Sequence, residues 1–482
     1  MKLSPPKRPR WKPYALLTPG HKSLRVRTPT SDVTYVEYRT ILAALSKLTK
    51  YVVFTPGKLR EFIAVTTPSE WVMTTWRGRP VSMEHKPSGV KITSLRNALN
   101  DAPDEMLALE TTMKWLEDYG VAPGSTSSMG WNLLRASLHE DVNISFDPTI
   151  SEAAFFGPRQ QVWQPDEYSN MVNVDQKAAY PFAMASEPMA LGLRPVSPST
   201  ILTNEPGLVA AEVFVPFDLP YAPLPVRVGP RSIEFQYHEI KGIWTWRELR
   251  AAKGLGCMVS VQKCWAPRRT YDLFGPWWEM GKTGRNLPPG ACDLAKLVLN
   301  GTWGQFAMRG EVKHERHFTG YGDFDYVERY VEPRTLPHVF AKHIACEVAS
   351  RVRVKTLTEG LYGPSGMVVH VDTDGFICHR DSALPANSGD DFGQWRVKEE
   401  MQVVEIRAPQ LYRYRTGRDD PAWHYVAAGM SRDGAHKEFK KRARTRTKIA
   451  YLSEHDVVIP SLKSHDRIGR YELLEEAERL VS

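Results

Sequence analysis

The pattern of apolar and polar positions is clearest in a few separated segments. In "MLALETTMKWLED" (106–118) apolar residues recur at three- and four-residue steps, which predicts a helix with one buried face. "GLVAAEVFV" (207–215) and "MVNVD" (171–175) are short apolar runs of strand type, whereas "HVFAKHIACEVASRVRVKTL" (338–357) predicts a long helix with an apolar stripe. "DLAKLVLNGTWGQFAM" (293–308) predicts another apolar helix, and "MVVHVDTDGFICH" (367–379) is a β-branched run broken by Asp372 and Asp374. Proline-rich breaks at 147–167, 193–207 and 266–278, and a loop at 286–291, separate these elements and predict subdomain joints. Strands and helices do not alternate regularly, so the pattern favours an α+β architecture of several subdomains over a doubly wound sheet.

Composition narrows this further. With 482 residues, 42% of them hydrophobic and 24% charged, the chain is a folded protein too long for one ordinary core, and about two to four subdomains are expected. Sixty-three Lys and Arg against 55 Asp and Glu give a formal net charge of +8, which favours a polyanionic partner. The excess is clustered at Lys2, Lys7, Arg8, Arg10 and Lys12, and in "KEFKKRARTRTK" (437–448), where phosphate-backbone contact competes with a solvated charged helix. Five cysteines form no C-x-x-C pair, which fits reduced thiols in a cytosol. No run of about 18 apolar residues occurs and the N-terminus lacks the apolar core of a secretory signal, so a soluble protein of a bacterial or host cytoplasm, without membrane association, is expected.

The carboxylates raise the chemical question. Asp372 and Asp374 share a face if the strand continues, and converge if a tight turn intervenes. Two anions placed together away from water cost several kcal/mol each unless a cation compensates, which points to a metal. The plain alternative is a surface hairpin whose Thr373-Asp374-Gly375 tip is ordinary turn chemistry. A further carboxylate, Asp175, ends the 171–175 strand, and the 293–308 helix carries Lys296, Asn300 and Gly304 on one face. Taken alone, that helix reads better as an ordinary amphipathic helix ending at a glycine cap.

Taken in order, these segments resemble motifs A, B and C of family B DNA polymerases. Asp175 followed by "AAYP" (178–181) is similar to the first motif. "KLVLNGTWG" (296–304) is similar to the second, with Gly301 for a serine and Trp303 for a tyrosine, and "HVDTDG" (370–375) to the third, with Gly375 for its last serine. "FFGPR" (155–159), "FGQW" (392–395) and "AAGMSRDGAHKEF" (427–439) resemble the protein-primed branch of bacteriophages and linear plasmids. The likeness implies a right-hand fold of palm, fingers and thumb: a reduced, degenerate exonuclease-like N-terminal domain at 1–150, a first palm part with an insertion at 151–265 and fingers at 266–315. A second palm part with the metal-site hairpin follows at 316–395, then a thumb and basic C-terminal region at 396–482.

The resemblance also implies roles. Asp175, Asp372 and Asp374 would be the catalytic acids, and with the Gln176 carbonyl they would hold two Mg²⁺ ions, for which Mn²⁺ can substitute. Tyr180 would be the gate that selects dNTPs, while Lys296, Asn300, Gly304 and Arg285, with Lys282 as its rival, would meet the incoming nucleotide. Glycines 301 and 304 would let the helix approach the nascent base pair. Phe156, Gly157, Tyr412 and Arg413 would contact primer-template DNA. Tyr412 falls in "QLY" (410–412), where the branch has Lys-x-Tyr, so Gln410 stands at the primer-gripping lysine and Arg413 and Arg415 are the nearest substitutes. Residues 1–104 contain no Asp-x-Glu pair, the signature of the family's proofreading site, so extension without proofreading is expected. The expected activity is that of a DNA-directed DNA polymerase replicating a phage or mobile element, with a terminal protein or other replication proteins as further partners. Two rivals remain: a template-independent or primase-like nucleotidyl transferase, and a noncatalytic nucleic-acid-binding replication factor.

Overall fold

The computed structural model describes residues 2–5, 12–20, 23–55, 70–76, 79–95, 99, 102–145, 148–163, 165–198, 206–229, 233–307, 313–318, 324–329, 341–363, 368–417, 422–427, 435–436 and 439. Apart from Phe439, the basic run at 437–448 lies outside them, as does most of 427–439, which the sequence also singled out. The chain folds into two compact units, each assembled from three stretches: Met1–Phe146 with Met184–Leu191 and Tyr271–Lys342, and Asp147–Ala183 with Gly192–Thr270 and His343–Ser482.

The first unit holds a nine-stranded sheet in the order Phe324–Arg329, Lys313–Phe318, Trp71–Trp76, Arg79–His85, Lys91–Ser94, Val52–Thr55, Tyr14–Gly20, Ser23–Thr28, Ser31–Tyr35. Leu17, Leu24, Ile41, Leu45, Trp71 and Ile92 close its core. The same unit carries the helices Glu105–Asp118, Thr126–Ala136, Gly275–Arg285 and Ala291–Phe306. Asp104 caps the first, accepting from the N–H groups of Met106 and Leu107 at 2.9 and 3.1 Å, and Ser125 caps the second. Helices Thr126–Ala136 and Ala291–Phe306 touch backbone to backbone at two glycines. A Cβ on Gly130 would lie 2.1 Å from the Val298 carbonyl, and one on Gly301 would lie 2.9 Å from Ser127 Cα.

The second unit contains two large sheets and a two-stranded one, Pro225–Arg227 with Ile233–Phe235. In the smaller of the two large sheets, Leu208–Val215 lies between His238–Thr245 and Met258–Pro267, with Leu193–Val196 beyond. Thr245 and Glu248 form a capping box at the start of helix Trp246–Gly254. The larger sheet has seven strands: β1 (Gln160–Val162), β2 (Glu167–Gln176), β3 (Val368–Asp372), β4 (Gly375–His379), β5 (Trp395–Ala408), β6 (Leu411–Arg415) and β7 (His424–Ala427), in the order β1-β3-β4-β2-β5-β6-β7. Every pairing in it is antiparallel. Val172, Val174, Val368, Val371, Phe376 and Trp395 pack in one core, while Met171, Val369, Ile377, Met401 and Val404 pack in another. Strand side chains alternate between faces, so a sheet buried on both sides needs apolar residues at successive positions. That is why "MVVHV" reads as continuous. An irregularity between Val368 and His370 brings Val368 and Val371 to the same core although they are an odd number of residues apart.

Two helices border this sheet: α1 (Ala179–Ala185) and α2 (Lys342–Lys355), which is followed by a π-helical turn, Thr356–Leu361. The predicted 338–357 helix thus ends in a wider turn. Arg353 of α2 is buried and donates to Glu248 at 2.9 and 2.7 Å. It also donates to the carbonyls of Phe156 and Gly157 at 2.7 and 2.9 Å. Removing one member of such a buried pair typically costs about 3–5 kcal/mol.

Candidate active site

The acidic run at 367–379 is a hairpin. Asp372 ends β3, Thr373 and Asp374 form the turn, and Gly375 begins β4 directly opposite Asp372. The two acids are therefore joined by a turn and do not lie along one extended strand. Thr373 has φ +65°, unusual for a β-branched residue and worth about 1–3 kcal/mol of strain. Neighbours hold it there. Its N–H donates to the Arg159 carbonyl at 2.8 Å, the Asp374 N–H donates to the Asp372 carbonyl at 2.8 Å, and Thr356 Oγ1 donates to the Thr373 carbonyl at 3.3 Å.

Asp175 stands near the end of β2, paired across the ladder with Gly375 on one side and Arg396 of β5 on the other. Asp175, Gly375 and Asp372 thus occupy one row across three adjacent strands. Glycine is required in the middle of that row. A Cβ at 375 would lie 2.8 Å from the Val174 carbonyl and 3.5 Å from Asp175 Cβ, so the serine of the family pattern would push β2 away.

The two outer carboxylates have different company. Asp175 Oδ1 accepts from Arg396 Nε at 3.1 Å, and its Oδ2 lies 3.8 Å from Lys398 Nζ. Asp372 Oδ1 accepts from three neutral groups: Gln410 Nε2 at 2.9 Å, Thr373 Oγ1 at 3.1 Å and Gln160 Nε2 at 3.3 Å. Among the described residues no three His, Cys, Asp or Glu side chains are gathered closely enough to enclose a metal ion. The donor chemistry of the row is nonetheless that of a hard cation site: carboxylate and carbonyl oxygens with no thiolate in the set. Gln176 is buried, its N–H donates to the Asp374 carbonyl at 2.9 Å, and its Nε2 donates to the Gly393 carbonyl at 2.9 Å.

Tyr180, in the first turn of α1, is half-buried. Burial raises its phenol pKa, Asp374 adds to that, Arg353 opposes it and Asp372 reinforces it, so the hydroxyl stays neutral within electrostatic reach of the hairpin acids. Tyr412 is buried, its ring centroid lies 5.4 Å from that of His370, and burial followed by Asp372 raises its pKa as well. Arg413 donates to Glu405 at 2.8 Å, and its guanidinium lies 4.0 Å from the Trp423 ring centroid. The Phe156 ring is committed to the core of the smaller sheet and is 3% exposed, so it presents no side chain to DNA, while Gly157 is half-exposed.

The residues expected to meet the nucleotide belong to the other unit. Lys296 and Asn300 are exposed on the helix face opposite Leu294, Val298, Leu299 and Phe306, and a Cβ on Gly304 would meet nothing within 4 Å. Gly301 is different: its missing Cβ is used for contact with helix Thr126–Ala136, not for approach to a base pair. Arg285 Nη1 donates to the Cys292 carbonyl at 2.9 Å, and Lys282 pairs with Glu279 at 2.6 Å. Sequence reasoning missed Gln160, Arg396 and Arg353. None carries a local signal, because each acts on a partner brought near by sheet register or by helix packing.

A two-sided antiparallel sheet thus carries an acidic hairpin beside an acidic strand end, within a larger α+β chain. No family model matches the sequence, and no curated protein is similar to it. Among solved structures, Phi29 DNA polymerase in an orthorhombic crystal form superposes with a TM-score of 0.63 at 11% identity, covering 88% of this chain and 92% of that one. Phi29 DNA polymerase complexed with primer-template DNA and incoming nucleotide substrates gives 0.61 at 11% identity, covering 89% and 93%. At such identities the likeness is one of fold. Among the described residues no helix is long and apolar enough to cross a membrane.

Proposed function

We propose that this chain is a DNA-directed DNA polymerase that adds dNTPs to a primer 3′-hydroxyl by two-metal phosphoryl transfer, in replication of a phage or mobile element. The observation that carries this reading is the row formed by Asp175, Gly375 and Asp372 across three paired strands, with Asp374 in the adjoining turn, in a chain with the fold of Phi29 DNA polymerase. Asp175, Asp372, Asp374 and the Gln176 main-chain carbonyl would hold Mg²⁺, which when bound supplies activation of the primer hydroxyl and charge neutralisation on the triphosphate. Tyr180, kept neutral, would exclude a 2′-hydroxyl by its bulk. Lys296 would offset triphosphate charge, Asn300 and Gly304 would line the nucleotide, and Arg285 would assist Lys296. Tyr412 and Arg413 would support primer-template DNA, for which the net charge of +8 is favourable.

The pairing of Asp175 with Arg396 and Lys398 favours one rival, a noncatalytic nucleic-acid-binding factor, because cations already neutralise that acid. Primer extension decides between them. Purified protein should extend a matched primer on a template with dNTPs and Mg²⁺. Extension without template would favour a template-independent transferase, and DNA binding without extension would favour the noncatalytic reading.

A further inference from the structure

Asp372 is held in a way that neither its motif nor the sequence around it indicates. Its Oδ1 accepts from Gln410, Thr373 and Gln160, donors contributed by the β5–β6 turn, the hairpin tip and β1. A carboxylate only accepts, so both glutamines must turn their amide NH₂ groups toward it. The placement of each glutamine is built into the sheet. Gln160 is the direct cross-strand partner of Asp372 in the β1–β3 ladder. Gln410 has φ +60°, a strained setting for a residue with a side chain, and its N–H donates to His370 Nε2 at 3.4 Å. Its backbone is thereby tied to the strand from which Asp372 projects.

The charge of the donors matters. Arg396 and Lys398 neutralise Asp175, whereas amide and hydroxyl donors fix the rotation of Asp372 without cancelling its negative charge. We infer that Gln410, seconded by Gln160, is a positioning residue that anchors Asp372 through Oδ1 so that its other oxygen stays aligned for a divalent cation. On this assignment the position that carries a primer-gripping cation in the family pattern has passed to orienting a catalytic acid. The inference rests on the polymerase reading.

The test uses the intact protein and Mn²⁺ alone, measured by calorimetry without DNA or nucleotide, beside primer extension titrated with Mg²⁺. Gln410→Ala should weaken Mn²⁺ binding about ten-fold and raise the Mg²⁺ needed for half-maximal extension in parallel, with primer-template affinity unchanged. Gln410→Met keeps the length of the side chain but removes the donor without adding charge, and should lose about as much. Gln160→Ala, which removes the longer bond from an exposed side chain, should lose less, roughly two- to three-fold. Mn²⁺ binding within two-fold of wild type in both Gln410 variants would overturn the assignment while leaving the polymerase reading intact. A wild-type protein that neither binds Mn²⁺ nor extends a primer would overturn both.

Discussion

The main-chain N–H of Gln176 donates to the carbonyl of Asp374 at 2.9 Å. The residue after Asp175 is thereby bonded to the hairpin turn, and the two acidic motifs, about two hundred positions apart, meet at one corner of the sheet. Their carboxylates are expected to act together. Asp175→Asn and Asp374→Asn should each reduce nucleotide incorporation below detection, with circular dichroism and primer-template affinity preserved. Asp175 and Arg396 are both partly exposed, so loss of their ion pair should cost only about 0–1 kcal/mol. Incorporation near the wild-type rate in either variant would remove the catalytic assignment.

Tyr180 follows from the same corner. Discrimination by bulk does not require the phenol to titrate, and burial together with Asp374 keeps it protonated. Tyr180→Val should raise rNTP use relative to dNTP by about ten-fold or more while dNTP turnover falls far less. Single-nucleotide incorporation measured with both substrates checks this, and an unchanged ratio would assign the ring to packing alone.

Gly393 has φ +85°, and a Cβ there would lie 2.6 Å from the Phe182 ring. Its carbonyl accepts from Gln176 Nε2 at 2.9 Å and from Lys355 Nζ at 2.8 Å. Gly393→Ala should destabilise the protein by about 1–3 kcal/mol and lower activity together with stability. A thermal midpoint equal to wild type would show that the loop adapts.

Arg353 and Glu248 form a buried pair, 3% and 2% exposed. Arg353→Met leaves Glu248 Oε1 and two carbonyls without their donor, with Oε2 still held by Thr245, and should cost about 3–5 kcal/mol by denaturant unfolding. Arg413→Ala should cost less, because Arg413 is 25% exposed and Glu405 keeps Arg407 as a second partner. Equal effects of the two variants would contradict this distinction.

Proofreading is expected to be absent. Asp32 is paired with Arg25 and Arg27, and Asp104 caps a helix and pairs with Arg27, so both acids are otherwise engaged. Asp101 lies outside the described residues. The protein should extend a matched primer yet leave a mismatched 3′ end intact when dNTPs are withheld. Degradation that persists in Asp374→Asn but disappears when Asp32, Glu37, Asp101 and Asp104 are replaced would reveal a divergent nuclease.

Local periodicity and motif spacing were enough to read the strand ending near Asp175, the 106–118 and 293–308 helices and the α+β class, because backbone preference and side-chain alternation act over a few residues. The acidic pair at 372 and 374 was equally legible, although strand and turn remained open until the φ of Thr373 settled it. Contacts across the fold were not legible. Gln410 reaches Asp372 over 38 positions, Arg353 reaches Glu248 over 105 and Arg396 reaches Asp175 over 221. Such partners depend on strand order and register, and a slip of one residue turns every side chain to the opposite face, so the irregularity between Val368 and His370 alone reassigns which residues meet. For the same reason the Phe156 ring entered the core and Gly301 served helix packing: neighbours brought together by the tertiary structure, not the residues themselves, decided their use.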